Sequence, residues 1–556
     1  MNKKVCSFPI LFALLALLIG TCAVVFPASA QAAPTSTGSI TVSGTVASSY
    51  DAYQIFSANV VDGDSDAKIA TDLAWASDAV RDAALPVLHS AGMPNSQTTA
   101  QEAAEWLNTD SHLTSALSAQ LARSLQSSGA VSVALNAGTA AELPCGYWLI
   151  VADDDAIAQG EAGTAPIMAL VGGSAVTVKP KAATPKVAKH VLEDSTAAWQ
   201  KAADATVADD LYWRLSATVP AGLTAYDTYT VQFVDTMSAG LDPSKVAASM
   251  RVYVAAGADG GFDAVSAGKD GRAGTEPAKG WTDITAQCAT KVAADGKTFT
   301  VRTGDLIAAL GGADAFTAGA RVVAVYNAPL NSACNHGIAK GNPNEVYLRY
   351  PRSPFADQSG DAGFTRTPSD DACAYTWDLA LTKRGSDGDK PLAGAVLSIA
   401  DDRGRTLAAD GTWDAEGKAT VTTGEDGRVT VSGVDSGKLE VRELKAPKGY
   451  TAFEGTRSVT VKAEGLDVDQ VAAAKPKLTI TAESPLRADS ADGSTGSLEA
   501  SLINTPTGTP PSITTGGFMP STGDMAMYAA AAAAVAGAAL IVVALLVKRG
   551  GGSHKE

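Results

Sequence analysis

Residue types that carry catalytic or metal-binding chemistry are scattered along this chain. Asp62, Asp64 and Asp66 are spaced like the start of a calcium loop, but Ala67 and Leu73 stand where that loop needs glycine and glutamate. A solvated acidic turn is the prediction there. Neither a glycine-rich phosphate loop nor the spacing of a catalytic triad occurs, and the five histidines are dispersed, at positions 89, 112, 190, 336 and 554. We therefore expect no metal, no cofactor and no conventional enzyme.

Lysine is the reactive residue type with an uneven distribution. Between residues 34 and 178 only Lys68 occurs. A cluster then follows around two prolines, made of Lys179, Lys181, Lys186 and Lys189. A proline-punctuated basic strip between two folded segments is typical of a domain linker, which is its first interpretation.

The C-terminal residues 519–556 combine a pentapeptide, an uncharged apolar run over 525–547 and a basic pair, Lys548 and Arg549. A run of this length spans a bilayer as a helix, and the basic pair stays cytoplasmic, so the preceding chain is expected outside. The pentapeptide consists of Met519, Pro520, Ser521, Thr522 and Gly523. This order resembles the cell-wall sorting signal of Gram-positive surface proteins, with methionine where leucine is usual. The resemblance implies that a sortase cleaves after Thr522 and passes its carbonyl to an amine; an ordinary tail anchor is the alternative.

The N-terminus predicts a secretory signal peptide over residues 1–30. Lys3 and Lys4 precede an apolar stretch, and cleavage after Ala30 or Ala33 is equally compatible with the sequence. Export takes a chain to a compartment where disulfides persist. The cysteines that remain after processing allow three complete pairings, and they are Cys145, Cys288, Cys334 and Cys373.

Charge and length limit the class of protein. The net charge of −16 and the isoelectric point near 4.8 argue against nucleic acid or anionic lipid as a partner, because both need basic patches. The roughly 490 residues left after processing suffice for about three or four domains.

Alternating strands and turn signals dominate the remaining chain, which predicts a mainly β fold of tandem β-sandwich domains. A helical insertion is expected between about residues 70 and 128. Asp-Gly pairs at 410–411 and 426–427 predict hairpins. The predicted divisions are an N-terminal domain at 34–180, a middle sandwich at 187–375, a third domain at 376–506, a linker at 507–518 and the sorting signal at 519–556.

The third segment carries ordered motifs, which are Ala380 to Lys383, Leu392 to Ala395, Leu439 to Tyr450 and Leu502 to Pro506. They resemble the collagen-adhesin B-type domain of sortase-assembled pilins, an immunoglobulin-like fold. The resemblance implies an intramolecular isopeptide bond between Lys383 and Asn504, with Glu443 as its catalyst.

Burial explains these three residue types. An apolar core disfavours charge, so a lysine there loses its proton and becomes a nucleophile, while an acid stays protonated and can polarise the amide and shuttle protons as ammonia leaves. The reaction turns over once, so the chain would not be an enzyme in the usual sense. The alternative makes Lys383 and Glu443 a surface ion pair, contributing at most about 1 kcal/mol.

The middle segment also resembles a pilin module, with Lys189 near its start and Asp235 inside it. In that family the lysine bonds an asparagine in a Tyr-Ser-Asn-x-Pro stretch, but Arg352 stands at this position here. We therefore expect Lys189 and Asp235 to match the fold without making the bond. A disulfide between Cys288 and Cys334 is expected in its place.

The basic strip can be interpreted again in this light. Val178-Lys179-Pro180-Lys181 resembles the pilin motif of backbone pilins, whose lysine attacks the sortase-bound threonine of the next subunit. Lys181 is accordingly the predicted polymerising nucleophile, with Lys179 and Lys186 as runners-up and a solvated linker as the alternative.

Together these features predict a shaft subunit of a covalent pilus on a Gram-positive cell wall. Its expected partners are further pilin subunits, sortase and peptidoglycan, with a host surface ligand open. A tip or base adhesin would need the sorting signal but no polymerising lysine. A wall-anchored enzyme is the third class, disfavoured by the missing catalytic constellation.

Overall fold

The computed structural model describes residues 36–64, 67–109, 111–180, 184–221, 223–257 and 280–508. These residues are mainly β, as predicted, and their strands form six sheets. None of the helices in these ranges is long and apolar enough to cross a membrane. The predicted signal peptide, Lys181, the predicted span at 525–547 and the whole sorting motif lie outside the described residues.

The N-terminal region combines two sheets with a helical layer. Its elements are β1 (Thr37–Val42), β2 (Ser49–Asp62), β3 (Lys68–Trp75), α1 (Asp78–Ser90), α2 (Ala100–Asn108), α3 (Ser115–Ser128), β4 (Val133–Asn136), β5 (Ala141–Pro144), β6 (Gly146–Ala152), β7 (Ile167–Val171) and β8 (Val176–Val178). The strand order is β5-β1-β8 in one sheet and β3-β2-β6-β7 in the other, with β4 beside β2.

Local sequence determines where the three helices begin. Ser77, Thr99 and Thr114 are N-caps whose hydroxyls accept a backbone N–H of the first turn, and Glu102 completes a capping box with Thr99. Apolar residues at helical spacing then pack on the sheet that contains β2 and β6. The predicted helical insertion is therefore confirmed, as a layer on one face of that sheet.

The middle region is a sandwich of two sheets. Its elements are β9 (Val187–Glu193), β10 (Ala198–Gln200), β11 (Ala202–Asp204), β12 (Tyr212–Thr218), β13 (Gln232–Met237), α4 (Val246–Ser249), β14 (Arg251–Ala255), β15 (Thr282–Asp283), β16 (Ala289–Val292), β17 (Thr298–Arg302), α5 (Leu306–Ala309), β18 (Arg321–Asn327), β19 (Asn342–Pro351), β20 (Phe364–Arg366) and β21 (Asp370–Tyr375). One sheet runs β10-β9-β12-β18-β14-β15, and the other runs β11-β21-β19-β13-β17-β16 with β20 beside β19. Trp213, Phe233 and Phe299 lie fully buried in the core between them.

The third region is a second sandwich. Its elements are β22 (Trp377–Gly385), β23 (Val396–Ala400), β24 (Thr406–Leu407), β25 (Trp413–Asp414), β26 (Val421–Thr422), β27 (Arg428–Val434), β28 (Gly437–Lys445), β29 (Tyr450–Thr451), β30 (Thr456–Glu464), β31 (Lys477–Ala482), β32 (Leu486–Asp492) and β33 (Ser497–Pro506). One sheet runs β27-β22-β33-β29 with β32 beside β33, and the facing sheet runs β25-β24-β23-β28-β30-β31 with β26 beside β23. The first and last strands, β22 and β33, are parallel neighbours.

The two Asp-Gly pairs behave differently. Gly411 closes a hairpin between β24 and β25, as predicted. Gly427 does not, because the strands on either side of it, β26 and β27, belong to different sheets. Its left-handed φ of 73° and a built Cβ only 2.8 Å from the Lys383 carbonyl oxygen require glycine there. This tight turn packs directly against the backbone of Lys383.

Candidate functional site

Lys383 and Asn504 are brought together by the parallel pairing of β22 and β33. Lys383 is in register with Leu502, and Asn504 follows two positions later. Since side chains alternate between the faces of a strand, Lys383, Leu502 and Asn504 all point to the same face. That face is the interior of the sandwich, where Lys383 is 0% and Asn504 2% exposed.

Glu443 enters the same interior from the facing sheet. Along β28 the alternation is strict, with Leu439, Val441 and Glu443 buried while Glu440 and Arg442 are exposed. A carboxyl in an otherwise apolar row is costly unless it is hydrogen-bonded. Here Oε2 accepts the backbone N–H of Phe453 at 3.1 Å.

The Glu443 carboxyl lies between the two nitrogens of the triplet. Asn504 Nδ2 donates to Glu443 Oε1 at 2.9 Å, and Lys383 Nζ lies 3.4 Å from the same oxygen. Burial lowers the pKa of Lys383 to about 8, in spite of the neighbouring Glu443. Both charged side chains are 0% exposed, so the alternative of a surface ion pair is wrong.

This geometry is suited to amide formation. A neutral Nζ can attack the side-chain carbonyl carbon of Asn504, and the carboxyl of Glu443 can carry a proton between the attacking and leaving nitrogens. Asn504 Oδ1 is buried and has no hydrogen-bond partner among the described residues. A hydrogen-bond donor at this oxygen would stabilise the negative charge that develops on it during attack on the carbonyl carbon.

A second cluster of the same type lies in the middle sandwich. Lys189 points inward from β9 and Asp235 points inward from β13 of the facing sheet, and their side chains are both 0% exposed. Lys189 Nζ donates to Asp235 Oδ2 and lies 5.5 Å from the ring centre of Trp213. Burial lowers the pKa of Lys189 to about 8 and raises the pKa of Asp235, so it favours the neutral form of each.

Sequence reasoning missed the remaining members of this cluster, Tyr326 and Asn344. Asn344 Nδ2 donates to the Tyr326 hydroxyl at 2.8 Å, and Lys189 Nζ donates to the same hydroxyl at 2.8 Å. The hydroxyl in turn donates to Asp235 Oδ2 at 3.0 Å. Asn344 is 0% exposed, and its Oδ1 is buried without a partner among the described residues.

Arg352, the residue that was matched to the expected asparagine, lies elsewhere. Its guanidinium donates to the Asp154 carbonyl oxygen of the N-terminal region at 3.2 Å. The asparagine that shares the Tyr326 hydroxyl with Lys189 is instead Asn344, which occupies the buried phase of β19 together with Val346 and Leu348. Asparagine in the apolar phase of an alternating strand is the signal that could have narrowed the choice to Asn342 and Asn344, which are both 0% exposed.

The predicted disulfide is not formed, because Cys288 and Cys334 are both free thiols. Cys288 directly precedes Ala289, the first residue of β16. Ala289 pairs with Arg302 of β17, and Arg302 pairs in turn with Gln232 at the start of β13, so Cys288 lies near that end of β13. Cys334 instead packs against Gly240, beyond the other end of β13. At about 3.3 Å per residue, the length of that strand separates the thiols by well over the ~7 Å of Cα separation that a disulfide tolerates.

The predicted polymerisation strip is described only in part. Val178 ends β8 beside Val42 of β1, and Lys179 follows it fully outside the core. Lys186 is also exposed, and its backbone N–H donates to the Thr218 hydroxyl at 2.8 Å just before β9. Lys181 and Thr522 lie outside the described residues. Groups of histidine, cysteine and carboxylate side chains able to hold a metal ion do not occur within the described ranges.

Comparison with known proteins gives matches of different extent. Residues 378–475 match the family described as the SpaA prealbumin-like fold domain. A curated relative, the trypsin-resistant surface T6 protein of Streptococcus pyogenes serotype M6, is 30% identical over 143 residues. That match spans 24% of this chain and 24% of the relative, so the chain covers about a quarter of the relative's length.

Two solved structures described as pilins align with most of this chain. The T6 backbone pilin of serotype M6 Streptococcus pyogenes is 17% identical, with a TM-score of 0.45 over 85% of this chain and 98% of that one. The full-length major pilin SpaD of Corynebacterium diphtheriae is 15% identical, with a TM-score of 0.41 over 86% of this chain and 100% of that one. The part of the chain that matches the SpaA prealbumin-like fold domain, residues 378–475, lies within the third region.

Proposed function

We propose that this chain is the backbone subunit of a covalently polymerised, wall-anchored pilus and is stabilised by intramolecular isopeptide bonds. The buried triplet of Lys383, Glu443 and Asn504 carries the proposal, because a buried lysine is costly and its conversion to an amide with Asn504 removes its charge permanently. The match to the SpaA prealbumin-like domain, which includes Lys383 and Glu443, and the T6 relative support the same assignment. In this role the chain is a structural protein and a sortase substrate, not an enzyme.

We extend the proposal to the middle sandwich, where Lys189 would bond Asn344 with Asp235 as the acid. The lysine and the asparagine share one hydrogen-bonding hydroxyl, and both are fully buried. Each bond joins a strand near the start of its sandwich to one near the end. Tension along the pilus would then pass through covalent bonds in both domains.

Polymerisation would join Lys181 of one subunit to Thr522 of the next, with peptidoglycan receiving the last Thr522 carbonyl. The pilin-like strip and the sorting-like pentapeptide support this step. It is tested by immunoblotting wall extracts in sodium dodecyl sulfate, where a shaft subunit gives a covalent ladder. Lys181→Arg keeps the charge and should leave only monomer, while Lys179→Arg and Lys186→Arg serve as matched controls that keep the ladder.

Two outcomes would contradict this assignment. A ladder that persists in Lys181→Arg and disappears in Lys179→Arg or Lys186→Arg would move the polymerising role to another lysine. A wild-type chain found on the wall only as monomer would indicate a tip or base adhesin instead of a shaft subunit.

A further inference from the structure

One hydroxyl contacts every reacting group of the middle cluster. Tyr326 Oη accepts from Lys189 Nζ and from Asn344 Nδ2, both at 2.8 Å, and donates to Asp235 Oδ2 at 3.0 Å. Nζ is the nitrogen that would attack the amide, and Nδ2 is the nitrogen that would leave. Tyr326 is 0% exposed, so no solvent competes for these positions.

In each cluster one oxygen atom contacts both the lysine nitrogen and the asparagine nitrogen, but the residue that supplies this oxygen differs. In the third region the Glu443 carboxyl oxygen itself contacts both nitrogens. Aspartate is one methylene shorter than glutamate, and Asp235 hydrogen-bonds Lys189 and Tyr326 but makes no hydrogen bond to Asn344 within the described structure. The Tyr326 hydroxyl takes the place of that contact, because among the described residues it alone hydrogen-bonds both nitrogens.

We propose that Tyr326 is a catalytic residue that relays a proton from Lys189 Nζ to Asn344 Nδ2, an inference that rests on the cross-link proposed above. The lone pair of neutral Nζ forms a bond to Cγ of Asn344, and the carbonyl electrons move to Oδ1. Nζ then gives one proton to the Tyr326 oxygen while the phenolic proton passes to Nδ2. The carbonyl re-forms, the bond from Cγ to Nδ2 breaks and ammonia leaves, so Tyr326 ends as the phenol it was.

The surroundings of Tyr326 keep it available as a donor. Burial and the neighbouring Asp235 raise the pKa of the phenol well above its usual value, so it stays protonated. Phe299 packs edge-on against the ring with centroids 4.8 Å apart, which fixes its orientation. With the ring fixed, only the hydroxyl proton has to turn, from Asp235 Oδ2 toward Asn344 Nδ2, before the transfer.

The test follows bond formation in the newly translated full-length chain. Samples are denatured at intervals and digested, and mass spectrometry measures the branched peptide that joins Lys189 to Asn344. Tyr326→Phe should slow its formation by on the order of 10²-fold or more, which is the usual contribution of general acid–base catalysis. The branched peptide that joins Lys383 to Asn504 should form at an unchanged rate in the same molecules.

Tyr350→Phe is the matched control, because it removes another fully buried hydroxyl of the middle sandwich, one bonded to the Gly160 carbonyl at 2.8 Å. It should leave the rate of the middle bond unchanged. A wild-type chain that forms the bond and a Tyr326→Phe chain that forms it equally fast would overturn the relay and leave the cross-link standing. A wild-type chain that never forms the bond would overturn the relay together with the cross-link.

A second measurement covers the case in which Tyr326→Phe fails to fold. Incorporating 3-fluorotyrosine throughout the chain preserves the shape of the ring and makes its hydroxyl more acidic. The pH profile of the rate should then shift for the middle bond and not for the third-region bond, whose triplet has no hydrogen bond to a tyrosine in the described structure. An unshifted profile for the middle bond would overturn the relay.

Discussion

Replacing Glu443 with alanine should prevent the bond between Lys383 and Asn504 and lower the stability of the third region. The bond would close a loop of 121 residues. If the chain-entropy relation for disulfides applies, a cross-link of that size stabilises by about 5 kcal/mol. For a segment of this length, a loss of that size lowers the melting temperature by roughly 15 to 20 °C.

Glu443→Ala also leaves Lys383 buried without its carboxyl, which adds its own destabilisation. Asn504→Ala separates the two effects, because it removes the bond and keeps the pair. Glu440→Ala, at an exposed position on the same strand, is the matched control. Intact mass spectrometry should find one more ammonia in Glu443→Ala than in wild type, and calorimetry should find the lowered midpoint in both bond-deficient variants only. A wild-type mass with no ammonia lost would refute the reasoning outright.

Three further results are expected. In Asn504→Ala the folded state should hold fewer protons than the unfolded state between pH about 8 and 10.5, because the pKa of Lys383 is lowered from 10.5 to about 8 in the folded state. Denaturant titration should therefore show stability rising with pH across that window by up to about 3 kcal/mol. The wild type should lack this rise, because the proposed bond would convert its lysine to an amide. Peptide mapping without reduction should find Cys288 and Cys334 as thiols, and a disulfide-linked peptide would contradict this expectation. Alkylation of both thiols should be slow until denaturant is added, because burial raises the pKa of each to about 11. Asn344→Ala should lose the middle bond and be cleaved by trypsin faster than wild type, while equal cleavage rates would argue that the bond does not limit opening of that sandwich.

The third-region cluster could be predicted because its information is local. Lys383, Glu443 and Asn504 each sit in a short motif at the buried phase of an alternating strand, and the resemblance of these ordered motifs to a known type of domain implied which strands meet. Mainly β structure and the helical insertion were readable for the same reason, since periodicity and caps act over a few residues.

The middle cluster depends on information that is not local. Asn344 comes beside Asp235 only through the register of β13 with β19, in which Asp235 pairs with Val346 and Met237 with Asn344. Tyr326 lies on β18, in the sheet that faces β13 and β19. The disulfide prediction failed because it too needed information that is not local. Two cysteines of one sandwich can lie near opposite ends of the same strand, and only the pairing register of the strands shows which end each cysteine is near.

The parallel pairing of β22 with β33 has a consequence for how far a pilus could stretch. Chain enters this sandwich at one end of β22 and leaves at the opposite end of β33, so a pull at the termini shears the pair along its length. With both proposed bonds in place, tension would be carried by residues 187–189, would cross the first bond to residues 344–383, and would cross the second bond to the residues from 504 onward. A taut chain lengthens by at most about 3.6 Å for each loaded residue, so the hundreds of bypassed residues would add no extension. Apart from the residues that form the bonds, such as Asp235, Tyr326 and Glu443, the segments 190–343 and 384–503 could then vary in sequence and length without changing the compliance of the fibre.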